Sequence, residues 1–237
     1  MISPLYILTQ KEINGKMRAI LIDWLIDVHM KFKLTTETLF LAVYILDRYL
    51  TKNQINREKF QLLGITCLFL ASKYEDIYPP ELKECLFVTE NSYSRDDLLR
   101  LEGEILTSID FKIKIPTPLV FLERYHRLLC NDRRMYCLAR YLLELSLIDY
   151  KFLKFSSSNI AISSLYLSGK ILKKPFWNEN LAKESKMKEE DVRICAKELC
   201  FCLQNASSSI LQGVRRKFSS MEYENIAKIQ LDRLFNK

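Results

Sequence analysis

The chain has 237 residues, 49% of them hydrophobic, with only 5 glycines and 6 prolines and a formal net charge of +7. That supplies enough apolar material for two cores of roughly 100 residues each, and the scarcity of helix breakers sets a mostly helical expectation. No apolar run reaches membrane-spanning length, because Ser163, Ser164, Ser168 and Lys170 interrupt the richest segment, so no membrane partner is expected. The 7 cysteines form no C-x-x-C pair and only His29 and His126 stand beside them, which argues against zinc and for reduced thiols in a cytosolic or nuclear setting.

Residues 17–28 hold nine apolar positions in twelve, with Met17, Leu21, Trp24 and Val28 on one helical face and Ala19, Ile22 and Ile26 on another. A helix this apolar is either buried on every side or keeps one face for a partner. A second helix is predicted over 36–51, with Leu39, Ala42, Val43, Leu46 and Tyr49 on its inner stripe. Asn56 suits the cap of a third, which runs to Glu75 and is stopped by Pro79-Pro80. A short helix follows over 81–87. Ser94-Arg95-Asp96-Asp97 fits a capping box with Asp in place of Glu, opening a helix that ends near Ile109. Pro116-Thr117-Pro118 is the clearest boundary: Pro116 stops what precedes it, Thr117 suits a cap and Pro118 the first helical position. Five further helices are predicted to about residue 215, and 223–235 keep helical spacing without an identifiable neighbour.

Beneath these elements lies a repeat at an interval of 97 residues. Residues 65–74, ITCLFLASKY, align with 162–171, ISSLYLSGKI; the same offset pairs Leu41-Ala42 with Leu138-Ala139, Tyr44 with Tyr141 and Asp47 with Glu144. Two segments in one register indicate two copies of one helical unit. We therefore divide the chain into an N-terminal segment (1–16) and two tandem all-α units (17–115 and 116–237). Residues 1–115 hold 15 Lys+Arg against 16 Asp+Glu, whereas 116–237 hold 21 against 13. A basic second half suits an acidic partner or nucleic acid, and equally the solvated surface of a helical domain.

Enzyme signatures are absent: there is no Gly-rich phosphate loop, no H-E-x-x-H and no G-x-S-x-G. Adjacent Glu75 and Asp76 point about 100° apart on a helix and cannot share a reacting atom, so they read as a solvated helix end. Neither catalysis nor a cofactor is expected, which leaves recognition. Lys73 ends a strongly apolar helix, where it either snorkels to solvent or offers three donors to a partner. Glu102 stands on the helix after Ser94 and can accept partner N–H groups. Spacing alone does not bring the two together.

Met17-Arg18-Ala19-Ile20-Leu21-Ile22-Asp23-Trp24-Leu25 closely resembles the opening helix of the cyclin box in A- and B-type mitotic cyclins. The resemblance continues through Glu37-Thr38-Leu39, Leu46-Asp47-Arg48-Tyr49-Leu50, Gln61-Leu62-Leu63-Gly64 and Leu70-Ala71-Ser72-Lys73-Tyr74-Glu75-Asp76-Ile77-Tyr78-Pro79-Pro80-Glu81. Glu144–Tyr150 and Arg216–Ser220 are similar to the second box, while Lys11-Glu12-Ile13-Asn14 and His29 lean towards the B type. In residues 1–16 the family's N-terminal helix finds no counterpart, and no Arg-x-x-Leu destruction box occurs there.

The resemblance implies two tandem five-helix cyclin-box domains and a cyclin-dependent Ser/Thr protein kinase as partner, in the nucleus and cytoplasm. It implies that Lys73 and Glu102 hydrogen-bond the main chain of the kinase's regulatory helix. Leu70, Tyr74, Leu106 and Phe111 form its apolar socket and Glu75 lies at the edge. It further implies a groove of Met17, Ile20, Leu21 and Trp24 that captures basic-x-Leu docking peptides of substrates or inhibitors. Arg57, Gln61 and Val88 are its far wall, and Asp27 and Glu90 receive the peptide's cation; Asp27 is one methylene shorter than the family's Glu. Arg18 and Asp47 resemble a buried structural ion pair. The alternative is a cyclin-fold general transcription factor binding DNA, which the basic second half favours and Met17–Trp24 does not; nucleic acid is not among the expected partners.

Overall fold

Contacts divide the chain between Ile115 and Pro116 into two units. The computed structural model describes residues 2–129, 132–174 and 177–229, and among these no strand occurs. Also among them, no helix is long and apolar enough to cross a membrane and no group of His, Cys, Asp or Glu could hold a metal.

The first unit runs α1 (Tyr6–Thr9), α2 (Gly15–Phe32), α3 (Thr36–Leu50), a 3-10 turn (Arg57–Lys59), α4 (Phe60–Glu75), α5 (Leu82–Phe87) and α6 (Arg95–Ser108). α4 is its axle. Twelve of its 16 residues are buried, and α2, α3, α5 and α6 pack around it. α2 approaches at Gly64, where an added Cβ would lie 2.8 Å from Leu21 Cδ1 and 3.1 Å from its Cγ. Gly103 on α6 is the opposite case, with open space where its side chain would be. Gly103→Ala is therefore expected to stabilise the chain by about 0.5–1 kcal/mol. At Gly64 the same change should destabilise it, since overpacking costs about 1–3 kcal/mol. Urea unfolding of both variants checks the opposite signs.

Local capping explains most boundaries. Asn14 accepts the N–H groups of Lys16 and Met17 and so starts α2. Ser94 and Asp97 form the reciprocal box that the sequence predicts. Two predicted caps fail. Asn56 makes no side-chain cap bond; its carbonyl instead accepts the Lys59 N–H at 3.0 Å, winding a 3-10 turn ahead of α4. Thr117 keeps its Oγ1 buried and without a hydrogen bond, and the helix opens instead on Pro118, whose fixed φ suits the first helical position.

The second unit runs α7 (Pro118–Leu129), α8 (Arg133–Ile148), a 3-10 turn (Tyr150–Lys154), α9 (Ser157–Ile171), α10 (Glu179–Ser185), α11 (Glu189–Asn205) and α12 (Gly213–Phe218). Five helices are predicted there; α12 is a short sixth. Here α9 is the axle, packed by α7, α8 and α11. Its fully buried Ser164 and Ser168 donate to the carbonyls of Ile160 (2.8 Å) and Ser164 (2.7 Å), so polar residues enter the core satisfied. From 223 the chain does not continue as the helix its spacing suggests: Glu224 and Asn225 take left-handed backbone before a 3-10 turn at Ile226–Lys228. Residues 230–235 of that stretch lie outside the described residues.

The repeat is legible in chemistry as well as topology. Asp47 on α3 binds Arg18 through Oδ1–Nε and Oδ2–Nη2, both 2.7 Å, with the side chains almost fully buried. The Tyr6 hydroxyl adds a bond to Oδ1 at 2.5 Å. Glu144, its counterpart on α8, receives Lys217 Nζ at 2.7 and 2.8 Å in an equally buried pair. Arg18 precedes its acid by 29 residues, whereas Lys217 follows its acid by 73. His29 and His126 obey the same offset: each bonds through Nε2 to the carbonyl six residues on, Thr35 at 2.8 Å and Asp132 at 3.0 Å. A carbonyl only accepts, so each Nε2 carries the proton.

Burial holds the His126 imidazole below its usual pKa. Its neutral form is the one that fits the fold, so its contribution is present above the unfolded value of about 6.5 and is lost as pH falls below it. The urea midpoint of the second unit should drop between pH 7.5 and 5.5, and His126→Asn should flatten that slope by up to the share of one proton, about 1.4 kcal/mol per pH unit.

Candidate protein-binding site

Leu70, Lys73 and Tyr74 lie at i, i+3 and i+4 at the end of α4 and so share a stripe. Lys73 Nζ passes 4.3 Å from the centre of the Phe69 ring and pairs with Glu102 on α6. The repeat keeps this feature too, since Lys170 lies over Tyr166 at 5.5 Å. Glu102 is 11% exposed and Lys73 38%. The lysine thus stabilises a nearly buried carboxylate rather than snorkelling outward, and the pair presents one polar spot on an apolar surface. Around it Leu70 is buried and Leu106 half-buried, while Tyr74 (47%) and Phe111 (69%) are exposed. Ile77 and Tyr78, just past α4, extend the exposed apolar surface.

Phe111 is held out by a strained loop. Asp110 and Phe111 both have φ of 55°, a left-handed conformation costing about 1–2 kcal/mol per side-chain-bearing residue. The Phe111 N–H bonds the Leu106 carbonyl at 2.9 Å. Arg48, reaching across from α3, donates to the carbonyls of Lys112 (2.8 Å) and Ile109 (3.0 Å). Lys52 donates to that of Ser108 at 2.8 Å. Two cations therefore satisfy the end of α6, where the helix dipole is negative. The sequence reading gave Arg48 no role, because nothing local marks a partner 64 residues away.

Glu75 is mostly exposed, but partial desolvation, then the neighbouring Glu37 and Asp76, raise its carboxyl pKa. Asp76 corrects the reading of a solvated helix end. It accepts the Thr35 N–H at 2.9 Å and the Thr38 hydroxyl at 2.5 Å, tying the end of α4 to the start of α3.

A second feature is an open cavity of about 420 Å³ between α2 and the end of α5. Trp24, Asp27, Val88 and Glu90 line it, as do Lys31 and Phe87, whose ammonium and ring lie 5.1 Å apart. Met17, Ile20, Leu21, Arg57 and Gln61 are not part of its wall. Ile20 is exposed, whereas Leu21 is buried and faces Gly64. Lys31 and Phe87 were missed by the sequence reading, although Lys31 falls one turn beyond Asp27 and two beyond Trp24.

Residues 1–114 match the family model of the cyclin N-terminal domain, and residues 116–232 that of the cyclin C-terminal domain. The chain belongs to the cyclin family. This cyclin is 37% identical over 228 residues to cyclin-B2-2 of Oryza sativa subsp. indica, covering 96% of its own length and 54% of the relative's. It is 39% identical over 226 residues to the G2/mitotic-specific cyclin-B of Dictyostelium discoideum (94% and 52%). With cyclin-A1-1 of Arabidopsis thaliana the identity is 38% over 227 residues (92% and 49%). The chain spans about half the length of the curated relatives it matches. Among solved structures, a viral cyclin from herpesvirus saimiri superposes with a TM-score of 0.73 at 19% identity, over 85% of this chain and 93% of that one. A chain of the yeast RNA Pol II CTD kinase CTDK-1 complex gives 0.70 at 16%, over 92% and 72%. At these identities the structures show the shared fold.

Proposed function

We propose that this cyclin is the regulatory subunit that binds and activates a cyclin-dependent Ser/Thr protein kinase in cell-cycle control. The observation that carries the reading is the Lys73–Glu102 pair, a donor and an acceptor set among exposed Tyr74 and Phe111. Such a spot suits the main chain of an incoming helix, with apolar side chains docking around it. Activation is then a population shift. A kinase needs its regulatory-helix Glu paired with the ATP-binding Lys. A surface that binds only the rotated-in helix favours that state. Moving a 1:99 population to 99:1 takes about 5.5 kcal/mol of differential binding and raises the active fraction about 100-fold. Mixing the chain with a monomeric cyclin-dependent kinase and measuring phosphate transfer tests this: stimulation of that order is expected, and none would overturn it.

The cavity beside Trp24 supports substrate docking. Asp27 and Glu90 suit the cation of a basic-x-Leu peptide and the Trp24 indole its leucine. Lys31 in the same wall suits an acidic neighbour in that peptide. Trp24→Ala should weaken peptide binding by 2 kcal/mol or more, about 30-fold, as loss of an aromatic anchor does; unchanged affinity by calorimetry would sink the groove. The described cysteines are free thiols, which suits the reducing nucleus and cytoplasm as the place of action.

A further inference from the structure

The second unit contains a cavity of about 210 Å³ that the proposed kinase and peptide sites do not use. Tyr141 of α8, Gln204 at the end of α11, Ser207 after it, Arg215 of α12 and Lys228 beyond it contribute the polar part of its wall. No carboxylate lines it among the described residues. Arg215 makes one long bond to the neutral Gln212 Oε1 at 3.4 Å, and Lys228 one to Asn225 Oδ1 at 3.2 Å. Neither cation is neutralised by an acid among the described residues. That sets them apart from Lys217, which is paired with Glu144.

The second, independent observation is Tyr141. It is 1% exposed, and its ring packs on Phe218 with centroids 5.3 Å apart. Its hydroxyl makes no hydrogen bond to a described residue, although Tyr141 lines the cavity. The hydroxyl is not sealed in the core but opens onto the cavity, where it is available as a donor. Burial pushes the phenol up to about 12 while the Arg215 guanidinium draws it down, so the group is a protonated donor near a cation at neutral pH. One O–H donor, one forked guanidinium and one ammonium line the same cavity, with two positive charges and no carboxylate among the described residues. That set complements a tetrahedral dianion better than a carboxylate, which offers one charge in a plane.

We propose that this cavity binds a phosphate group through Tyr141, Arg215 and Lys228. The group is either the free ion or a phosphate monoester on a side chain, since both present the same dianionic oxygens. Two probes separate these sources: inorganic phosphate and O-phosphoserine, each added to the full chain carrying carbon-labelled tyrosine. The Tyr141 resonance should move saturably with at least one probe and not with sodium chloride at matched ionic strength. The tighter probe identifies the source. Tyr141→Phe keeps the ring against Phe218 and Lys228→Met changes an exposed residue, so both variants should fold. Each should weaken binding about tenfold or more, read from the phosphorus resonance of the probe, as loss of one charge-assisted bond does. Shifts that track ionic strength alone, or undiminished affinity in both variants, would overturn the assignment.

Discussion

Arg18→Met should cost the first unit about 3–5 kcal/mol, because it leaves the Asp47 carboxylate buried without its cation. The pair is bidentate and almost wholly enclosed, so water cannot take the place of the guanidinium. Replacing both partners together, Arg18→Met with Asp47→Leu, should recover most of the loss, as apolar substitutes for buried ion pairs do. It would still strand the Tyr6 hydroxyl, which now bonds Asp47, at about 1–3 kcal/mol. Adding Tyr6→Phe should remove that remainder. Urea unfolding of the series checks the ordering, and a cost below about 1 kcal/mol for the single change would show that the pair does not anchor the unit. Tyr6 also limits stability at high pH. Burial, and then Asp47, raise its phenol pKa. Its contribution is therefore full below the unfolded value of about 10 and lost as pH rises above it.

The largest functional effect is expected at Lys73. Lys73→Glu sets two carboxylates against each other at the Glu102 position and removes the donor offered to the kinase. Breaking one member of a desolvated charge pair at an interface costs about 2–5 kcal/mol, enough to return a 100-fold stimulation close to the basal rate. The reversed pair, Lys73→Glu with Glu102→Lys, makes the test specific. It restores attraction within the free chain, so circular dichroism and unfolding should match the wild type. It exchanges donor and acceptor at the surface, so kinase stimulation should stay lost. Stimulation equal to wild type in the single variant would refute the interface assignment; recovery in the double variant would make the pair's role structural.

Legibility in the sequence followed the range of each interaction. The helices over 17–28, 36–51 and from the Asn56 cap to Glu75 were readable because their apolar periodicity is local, as was the Ser94–Asp97 box, although the third begins at Phe60 after a 3-10 turn. The 97-residue repeat gave two like units before any contact was known. Asn56 and Thr117 show the limit of single-residue cap signals: a backbone turn stands ahead of one helix, and the other opens on a proline with the threonine hydroxyl unpaired. Lys73 and Glu102 were each visible as unusual, but only the packing of α4 on α6 makes them a pair. Arg48, bonding carbonyls 61 and 64 residues away, left no local trace, because backbone acceptors are the same at every position. Of the proposed groove, the structure gathers Trp24, Asp27, Val88 and Glu90 into one cavity and leaves Leu21 as core.

The two buried carboxylates differ in when their cations become available. Synthesis delivers residues in chain order, and domains tend to fold as they emerge. Arg18 has already been made when Asp47 appears, so the first unit can close around its ion pair while the second is still unmade. Glu144 must wait 73 residues for Lys217. Until then α8 carries an acid with no ammonium to enclose it, and burying it alone would be strongly unfavourable. The same architecture therefore completes its two buried ion pairs on different schedules, the first with partners already made when Asp47 appears and the second only once α12 has been made.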